Sequence, residues 1–406
     1  MEIRNVKPEE RVQYDAIRST VFLFNEREDI RTIQKEPLEH VYSDGHTRIG
    51  AFDDKGRLVS ALRIIPFTFR INGKNVKMGG IASVVSKPEV RGRGHIRALM
   101  KESLRRMEDE GQYFSYLYPF SYPFYRKYGY DVCRDIRSAT IPLSSLKAYP
   151  YPDNMEPFEP GDSTAPYAEI YESFIQNRNL AVVRSNADWE NLLNRDPYKY
   201  SQFTYLYRNR EGLPAAYALF DAKKTFSSNY DFESLFDFMV KEIAWKEPED
   251  LHHIFGFLAK LDAEANNLQW EVPCDVDVFS LFGDCYGAKL QTAPGGMCRL
   301  VNALEGLKTL HPPNGNGKAV VEVHDAFWAS NSGTYVLAWG SGELSATKTS
   351  AALPDMSTTV ETLAQLVTGY LSPDEAAYKT CTKITGNHMA LKALFPRQRL
   401  YMLENY

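Results

Sequence analysis

Between His95 and Glu110, Ile96, Leu99, Met100, Leu104 and Met107 recur at helical spacing, with Ser103 on the same face and Gly111 as a stop. This predicts an amphipathic helix. Upstream, the pattern switches to alternation. A polar strand at Glu2–Val6 and a helix around Pro8–Phe24 precede strands at His46–Asp53 and Leu58–Ile71. The second of these strands closes through Asn72-Gly73, a hairpin signal, and Val76–Ser86 forms the returning strand. After the helix come a short buried strand at Tyr113–Leu117, a helical turn at Tyr122–Tyr128 and a further strand at Tyr130–Ile141. Strand, helix and strand in this order are α/β logic.

Ala148–Pro166, rich in Pro, Tyr, Asp and Glu, reads as a linker. Beyond it, helices at Ala168–Gln176, Asp188–Leu193 and Asp250–Ala265, the last ending before Leu268–Pro273, are interleaved with strands at Gln202–Tyr207, Ala215–Phe220 and Lys241–Trp245. The order partly repeats the first segment. It therefore reads either as a degenerate second copy or as an unrelated structural domain. Thr292–Gly296 marks another boundary. Four strands (Gly296–Val301, Lys318–His324, Gly333–Trp339 and Leu344–Lys348) and helices at Thr358–Leu366 and Ser372–Thr382 then suggest an α+β module. Three domains are expected, at 1–147, 148–290 and 291–406.

With 406 residues, 44% of them hydrophobic and 13% aromatic, the chain can build more than one packed core. A net charge of −5 provides no basic footprint for nucleic acid. Five scattered cysteines without a Cys-x-x-Cys pair suit a reducing compartment and imply neither a zinc site nor a disulfide frame. No window approaches a membrane span and no apolar signal core opens the chain, so a cytoplasmic protein is expected. His252 and His253, adjacent on a helix, face different ways and make a poor metal pair, so no metal is implied.

The chemistry concentrates at residues 84–97, where the β-branched run Val84-Val85-Ser86 gives way to an Arg/Gly loop and the helix start. A strand, a glycine turn and a helix N-terminus together aim free backbone N–H groups at one point, which suits an anion. Gly92 and Gly94 could equally form a plain tight turn with solvated arginines. The loop lacks the Gly-Lys-Ser/Thr ending of a nucleotide P-loop. In its place between strand and helix, Arg91-Gly92-Arg93-Gly94 resembles motif A of the GNAT N-acetyltransferases, although Ile96 stands where many members carry Gly or Ala.

The resemblance extends along the chain to the enhanced intracellular survival (Eis) acetyltransferases. Arg-Gly-Arg-Gly-His-Ile-Arg at 91–97 and Pro-Phe-Tyr-Arg-Lys-Tyr-Gly-Tyr at 123–130 resemble that family's loop and signature, and Gly296–Val301 resembles a later landmark. The resemblance implies tandem GNAT folds, the second degenerate, followed by a sterol-carrier-like α+β domain. It implies acetyl-CoA as co-substrate, held by Val84, Val85 and Ser86 along the pantetheine arm. Arg91, Gly92, Arg93, Gly94, His95, Ile96 and Arg97 would hold the pyrophosphate, with Phe120 and Ser121 near the acetyl group. It further implies a homohexamer.

Tyr125 is the candidate general acid, because thioester cleavage expels a thiolate of pKa about 8.5 and a phenol of about 10 can protonate it. The resemblance assigns the general base to the terminal carboxylate of Tyr406. Phe24 and Glu26 are candidates for an aromatic, acidic mouth that admits a polyamine, an aminoglycoside or a lysine side chain. The rival expectation is a non-catalytic binder that holds CoA on a GNAT-like scaffold while the C-terminal module carries lipid.

Overall fold

In a computed structural model, residues 1–22, 45–226, 235–283, 285–350 and 352–404 are described. Contacts divide the described residues into two units, one from 1–133 and 296–398 and the other from 134–295 and 399–404.

The first unit is built on a seven-stranded sheet of β1 (Glu2–Asn5), β2 (Thr47–Phe52), β3 (Leu58–Ile71), β4 (Lys74–Ser86), β5 (Phe114–Leu117), β6 (Asp131–Val132) and a late strand, β14 (Met297–Leu300). The spatial order is β1-β2-β3-β4-β5-β14-β6. Helix α1 (Arg11–Phe22) packs on β3 and β4, as does α2 (His95–Asp109), and the one-turn α3 (Tyr122–Arg126) follows β5. The β3–β4 hairpin turns at Asn72 and Gly73, both with positive φ, as the dipeptide demands. Helix α2 buries Leu99, Met100, Ser103, Leu104 and Met107. On its other face Glu102 pairs with Arg105 and Arg106 across one turn.

The same unit holds a second sheet of β15 (Gly317–His324), β16 (Gly333–Gly340), β17 (Glu343–Thr349), β18 (Met356–Thr359) and β19 (Lys383–Ile384), in the order β17-β16-β15-β18-β19.

The second unit carries its own seven strands: β7 (Asp135–Pro142), β8 (Met155–Pro157), β9 (Gln202–Arg208), β10 (Pro214–Phe226), β11 (Leu235–Trp245), β12 (Asn267–Glu271) and β13 (Lys289–Pro294). They are ordered β13-β7-β12-β11-β10-β9-β8 and flanked by α4 (Ala165–Ile175), α5 (Asn186–Leu193) and α6 (Pro248–Ala259). Within this unit Arg184 makes paired 2.7 Å bonds to the Glu242 carboxylate and another of 2.9 Å to Glu404. Asn179 and Tyr401 add backbone bonds that dock the segment 399–404, burying Leu400, Tyr401 and Met402.

Several sequence expectations differ from these elements. The strand read at Gly296–Val301 as part of the C-terminal module is β14, which pairs with β5 and β6 in the first sheet, and Met155–Pro157, inside the expected linker, is β8. The single strand expected at Tyr130–Ile141 is two: β6 pairs with β14, whereas β7 pairs with β12 and β13 in the other sheet. The first compact stretch accordingly ends at Cys133, where the sequence reading carried its first domain to residue 147. The helix expected at Ser372–Thr382 shrinks to Pro373–Ala376, because the backbone beyond it closes i→i+3 turns, Tyr378 N–H to Glu375, Lys379 N–H to Ala376 and Thr382 N–H to Lys379, in place of helical bonds.

Candidate active site

Strands β4 and β5 run parallel and pair over only three positions, Met78↔Phe114, Gly79↔Ser115 and Gly80↔Tyr116. Strand β4 continues six residues beyond the last of these, to Ser86, while its other edge stays paired with β3. The β5-facing edge of Ile81–Ser86 therefore has no strand partner among the described residues. Ser83 sits at φ 49°, and Ser83 and Val84 together oppose Leu62, a bulge that bends the free edge. Such an edge can accept the amides of an extended arm. Val84 and Val85 are buried and Ser86 is half-buried, so the backbone of these three residues is what the cleft offers.

At the end of β4 the chain passes through a turn at Pro88–Val90 and the exposed residues Arg91–Gly94 into α2. Gly92 and Gly94 have φ of 78° and 83°, and a methyl group added at either would meet nothing within 4 Å. No neighbour crowds these glycines; it is the left-handed backbone that requires them. Gly94 is the N-cap of α2, and no side chain caps the helix. The first intrahelical bond runs from Ala98 N–H to Gly94 at 3.1 Å, which leaves the N–H groups of His95, Ile96 and Arg97 pointing out of the helix end. Arg91, Arg93 and Arg97 are exposed around them. This is an anion cradle open to solvent.

His95 completes the junction. Its Nδ1 lies 3.3 Å from Ser60 Oγ, which is 2.5 Å from Ser86 Oγ. Burial, and then the nearby Arg93 charge, pull the imidazole below its ordinary pKa, so it is neutral at pH 7. Ser60, the hydroxyl within reach of His95, is fully buried.

Because β4 and β5 are parallel, the segment after β5 emerges at the same edge of the sheet as the Arg/Gly loop. It carries Tyr125 in α3. Tyr125 is buried in the cluster that includes Val84, Leu99, Met100, Leu117, Tyr128 and Tyr130. Its ring contacts Phe124 at 5.1 Å and the exposed Phe120 at 5.3 Å, with centroids as the reference points. Ser121, also expected near the acetyl group, accepts the Tyr125 N–H at 3.4 Å. Burial, reinforced by Tyr130 and Tyr128, raises the Tyr125 pKa, and the phenol is protonated throughout the physiological range. Tyr130, shut in beside Ser115, is pushed up to about 12.

The sequence reading missed what holds this turn from behind. Arg299 of β14 has no exposed surface. It donates to the Tyr128 carbonyl and to that of Leu300, and it pairs with the equally buried Asp325 at 2.6 Å. Gly129, at φ 82°, lies so close that an added methyl would come within 2.7 Å of the guanidinium. The motif around Arg299 was visible in the sequence, but a lone strand arginine carries no signal of burial.

Phe24 and Glu26, and also Tyr406, lie outside the described residues.

The second unit repeats the plan with the cradle closed. Strand β11, α6 and β12 again form strand, helix and parallel strand, paired at Asp237↔Asn267, Phe238↔Leu268 and Met239↔Gln269. Only Lys246 and Glu247 separate β11 from α6, and the Asp250 carboxylate accepts the Glu247 N–H at 2.9 Å. With Glu249 beside it, the helix start is negative and its dipole is already served, which disfavours a phosphate.

Comparison with known proteins marks three segments of the chain. Family models match an acetyltransferase (GNAT) domain at residues 2–133, another acetyltransferase (GNAT) domain at 180–300 and a sterol carrier protein domain at 300–403. No curated protein matches in sequence. Among solved structures, a GCN5-related N-acetyltransferase from Anabaena variabilis ATCC 29413 matches with a TM-score of 0.83 at 20% identity over 100% of both chains. A probable N-acyltransferase from Enterococcus faecalis V583 matches with a TM-score of 0.81 at 22% identity, over 98% of this chain and 97% of that one. Eis1 from Mycobacterium abscessus matches with a TM-score of 0.80 at 17% identity over 100% of both. At these identities the likeness is one of fold. The chain is a GNAT acetyltransferase with two such domains followed by a sterol carrier protein domain, an Eis-like architecture, and its family implies an acyl-CoA co-substrate.

Proposed function

We propose that this GNAT N-acetyltransferase transfers the acetyl group of acetyl-CoA to a primary amine of a small cationic molecule, such as a polyamine or aminoglycoside, or to a lysine side chain. One observation carries the reading. An unpaired strand edge, an uncapped helix N-terminus behind two left-handed glycines, and a buried protonated tyrosine all lie at one edge of a parallel strand pair. In this reading the pantetheine arm extends β4, the pyrophosphate sits on the N–H groups of His95–Arg97, and the thioester lies near Tyr125.

The amine nitrogen attacks the thioester carbonyl carbon directly, the C–S bond breaks, and Tyr125 gives its proton to the departing sulfur. The burial that raises the Tyr125 pKa also penalises a thiolate formed beside it, so proton transfer between the two stays balanced. The attacking amine, of pKa about 10.4 in water, must lose a proton. The terminal carboxylate of Tyr406 is proposed as its acceptor, and assembly as a homohexamer in the cytoplasm belongs to the same reading. Among the described residues no helix is long and apolar enough to cross a membrane.

The test is CoA release from acetyl-CoA in the presence of spermidine, an aminoglycoside or a lysine peptide, by the full chain and by a chain lacking Tyr406. The expected result is turnover with at least one amine that collapses without Tyr406. Tight acetyl-CoA binding with no turnover on any amine would favour a binding protein instead.

A further inference from the structure

The sterol carrier domain is bonded into the first acetyltransferase unit at a specific loop, Asp325–Trp328. The Asp325 carboxylate takes the Arg299 guanidinium at 2.6 Å, the Phe327 and Trp328 N–H groups at 3.0 and 2.9 Å, and the Asn331 amide at 3.1 Å. Asn331 also donates to Leu300 of β14 at 3.1 Å and accepts the Ala303 N–H at 2.8 Å. The loop's two aromatic residues project from that frame. Phe327 stacks edge-on against Tyr128 with ring centroids 5.1 Å apart, and the Arg97 guanidinium lies 5.0 Å above its ring. Trp328, like Ile96, packs against the cluster that contains Tyr125.

Arg97 is the last residue of the anion cradle, and Tyr128 closes the turn of Tyr125 by donating its N–H to the Tyr125 carbonyl at 2.9 Å. One phenylalanine therefore touches both halves of the site. An exposed arginine on a helix start samples many rotamers, and ordering it on binding costs entropy. A ring face beneath the guanidinium favours one arrangement before any ligand arrives.

We propose that the Asp325–Trp328 loop of the sterol carrier domain is a wall of the acyl-CoA site, with Phe327 as a positioning residue that pre-orders Arg97 for the diphosphate. The proposal rests on the reading of the Arg/Gly loop as the acyl-CoA cradle. It gives the C-terminal domain a part in catalysis through the first unit, independent of any lipid cargo.

The test is a double-variant cycle in the full chain, using Arg97→Gln, Phe327→Leu and the two combined, with acetyl-CoA affinity read by titration calorimetry. Phe327→Leu should weaken acetyl-CoA about two- to fivefold, the size of a cation–π contact at a partly exposed site. The double variant should bind no more weakly than Arg97→Gln alone, because the ring acts only through the guanidinium. Melting temperature reports folding, and Phe327→Met replaces Phe327→Leu in the same cycle if the latter does not fold. Unchanged affinity in the Phe327 variant, or penalties that multiply in the double variant, would overturn the proposal alone. A wild-type chain that does not bind acetyl-CoA would overturn the acyl-CoA reading and the proposal with it.

Discussion

Two readings of the Arg/Gly loop, a tight turn or a phosphate cradle, make different demands on the same glycine. Gly94 has φ 83° and open space where an added methyl would lie, and Gly56, in the turn between β2 and β3, has φ 71° and open space as well. Substituting alanine at either forces an L-residue into the left-handed region at about 1–2 kcal/mol, with no steric addition. For a unit of this size the first thermal transition should fall by about 2–8 °C, and by a similar amount for the two variants. Ligand binding should separate them. A methyl at Gly94 stands in front of the uncapped helix end and obstructs a diphosphate approaching the N–H groups of His95–Arg97. Losing one charge-assisted hydrogen bond is worth about 1.5–3 kcal/mol, or roughly ten- to a hundredfold in the acetyl-CoA dissociation constant. Titration calorimetry on Gly94→Ala and Gly56→Ala, with melting curves alongside, gives both quantities. If Gly94→Ala and Gly56→Ala bind acetyl-CoA equally well, the loop is only a turn.

Other expectations follow from buried charge. Arg299→Met leaves the Asp325 carboxylate buried without its cation, so stability should drop by about 3–5 kcal/mol in denaturant titrations of the full chain. Adding Asp325→Asn should restore part of that loss, whereas additive penalties would show that the pair is not coupled. His95 has a folded-state pKa below its unfolded value of about 6.5. Its contribution to stability is therefore present above that pH and lost as pH falls through the folded value. Melting temperature should decline less between pH 7 and pH 5 in His95→Gln than in the wild type, and parallel declines would remove His95 as a cause.

Local features were legible from the sequence because local chemistry dictates them. Asn72-Gly73 can turn a hairpin within two residues, and the spacing of Leu99, Met100, Leu104 and Met107 needs only one buried face. The Arg/Gly loop was readable for the same reason: strand, glycine and helix signals follow one another without a gap. Partners distant in sequence were not legible. Nothing between Asp131 and Pro142 signals that pairing passes from β14 to β12 and β13, since both stretches are alternating and extended. Met155–Pro157, inside what reads as a linker, becomes a strand only because β9 offers it an edge. Arg299 and Asp325 each look like surface charges, and only the fold buries them against each other. Tyr125 stood out among 25 tyrosines through its motif, while its burial and its place at the end of β5 came from the structure.

The most direct measurement is the rate of CoA release by Tyr125→Phe against wild type, with acetyl-CoA affinity measured on both. Phenylalanine keeps the ring contacts with Phe120 and Phe124 and removes only the hydroxyl. If Tyr125 protonates the departing sulfur, kcat should fall by about 10²–10⁴ while acetyl-CoA affinity is unchanged. Equal rates in the two proteins would contradict that role.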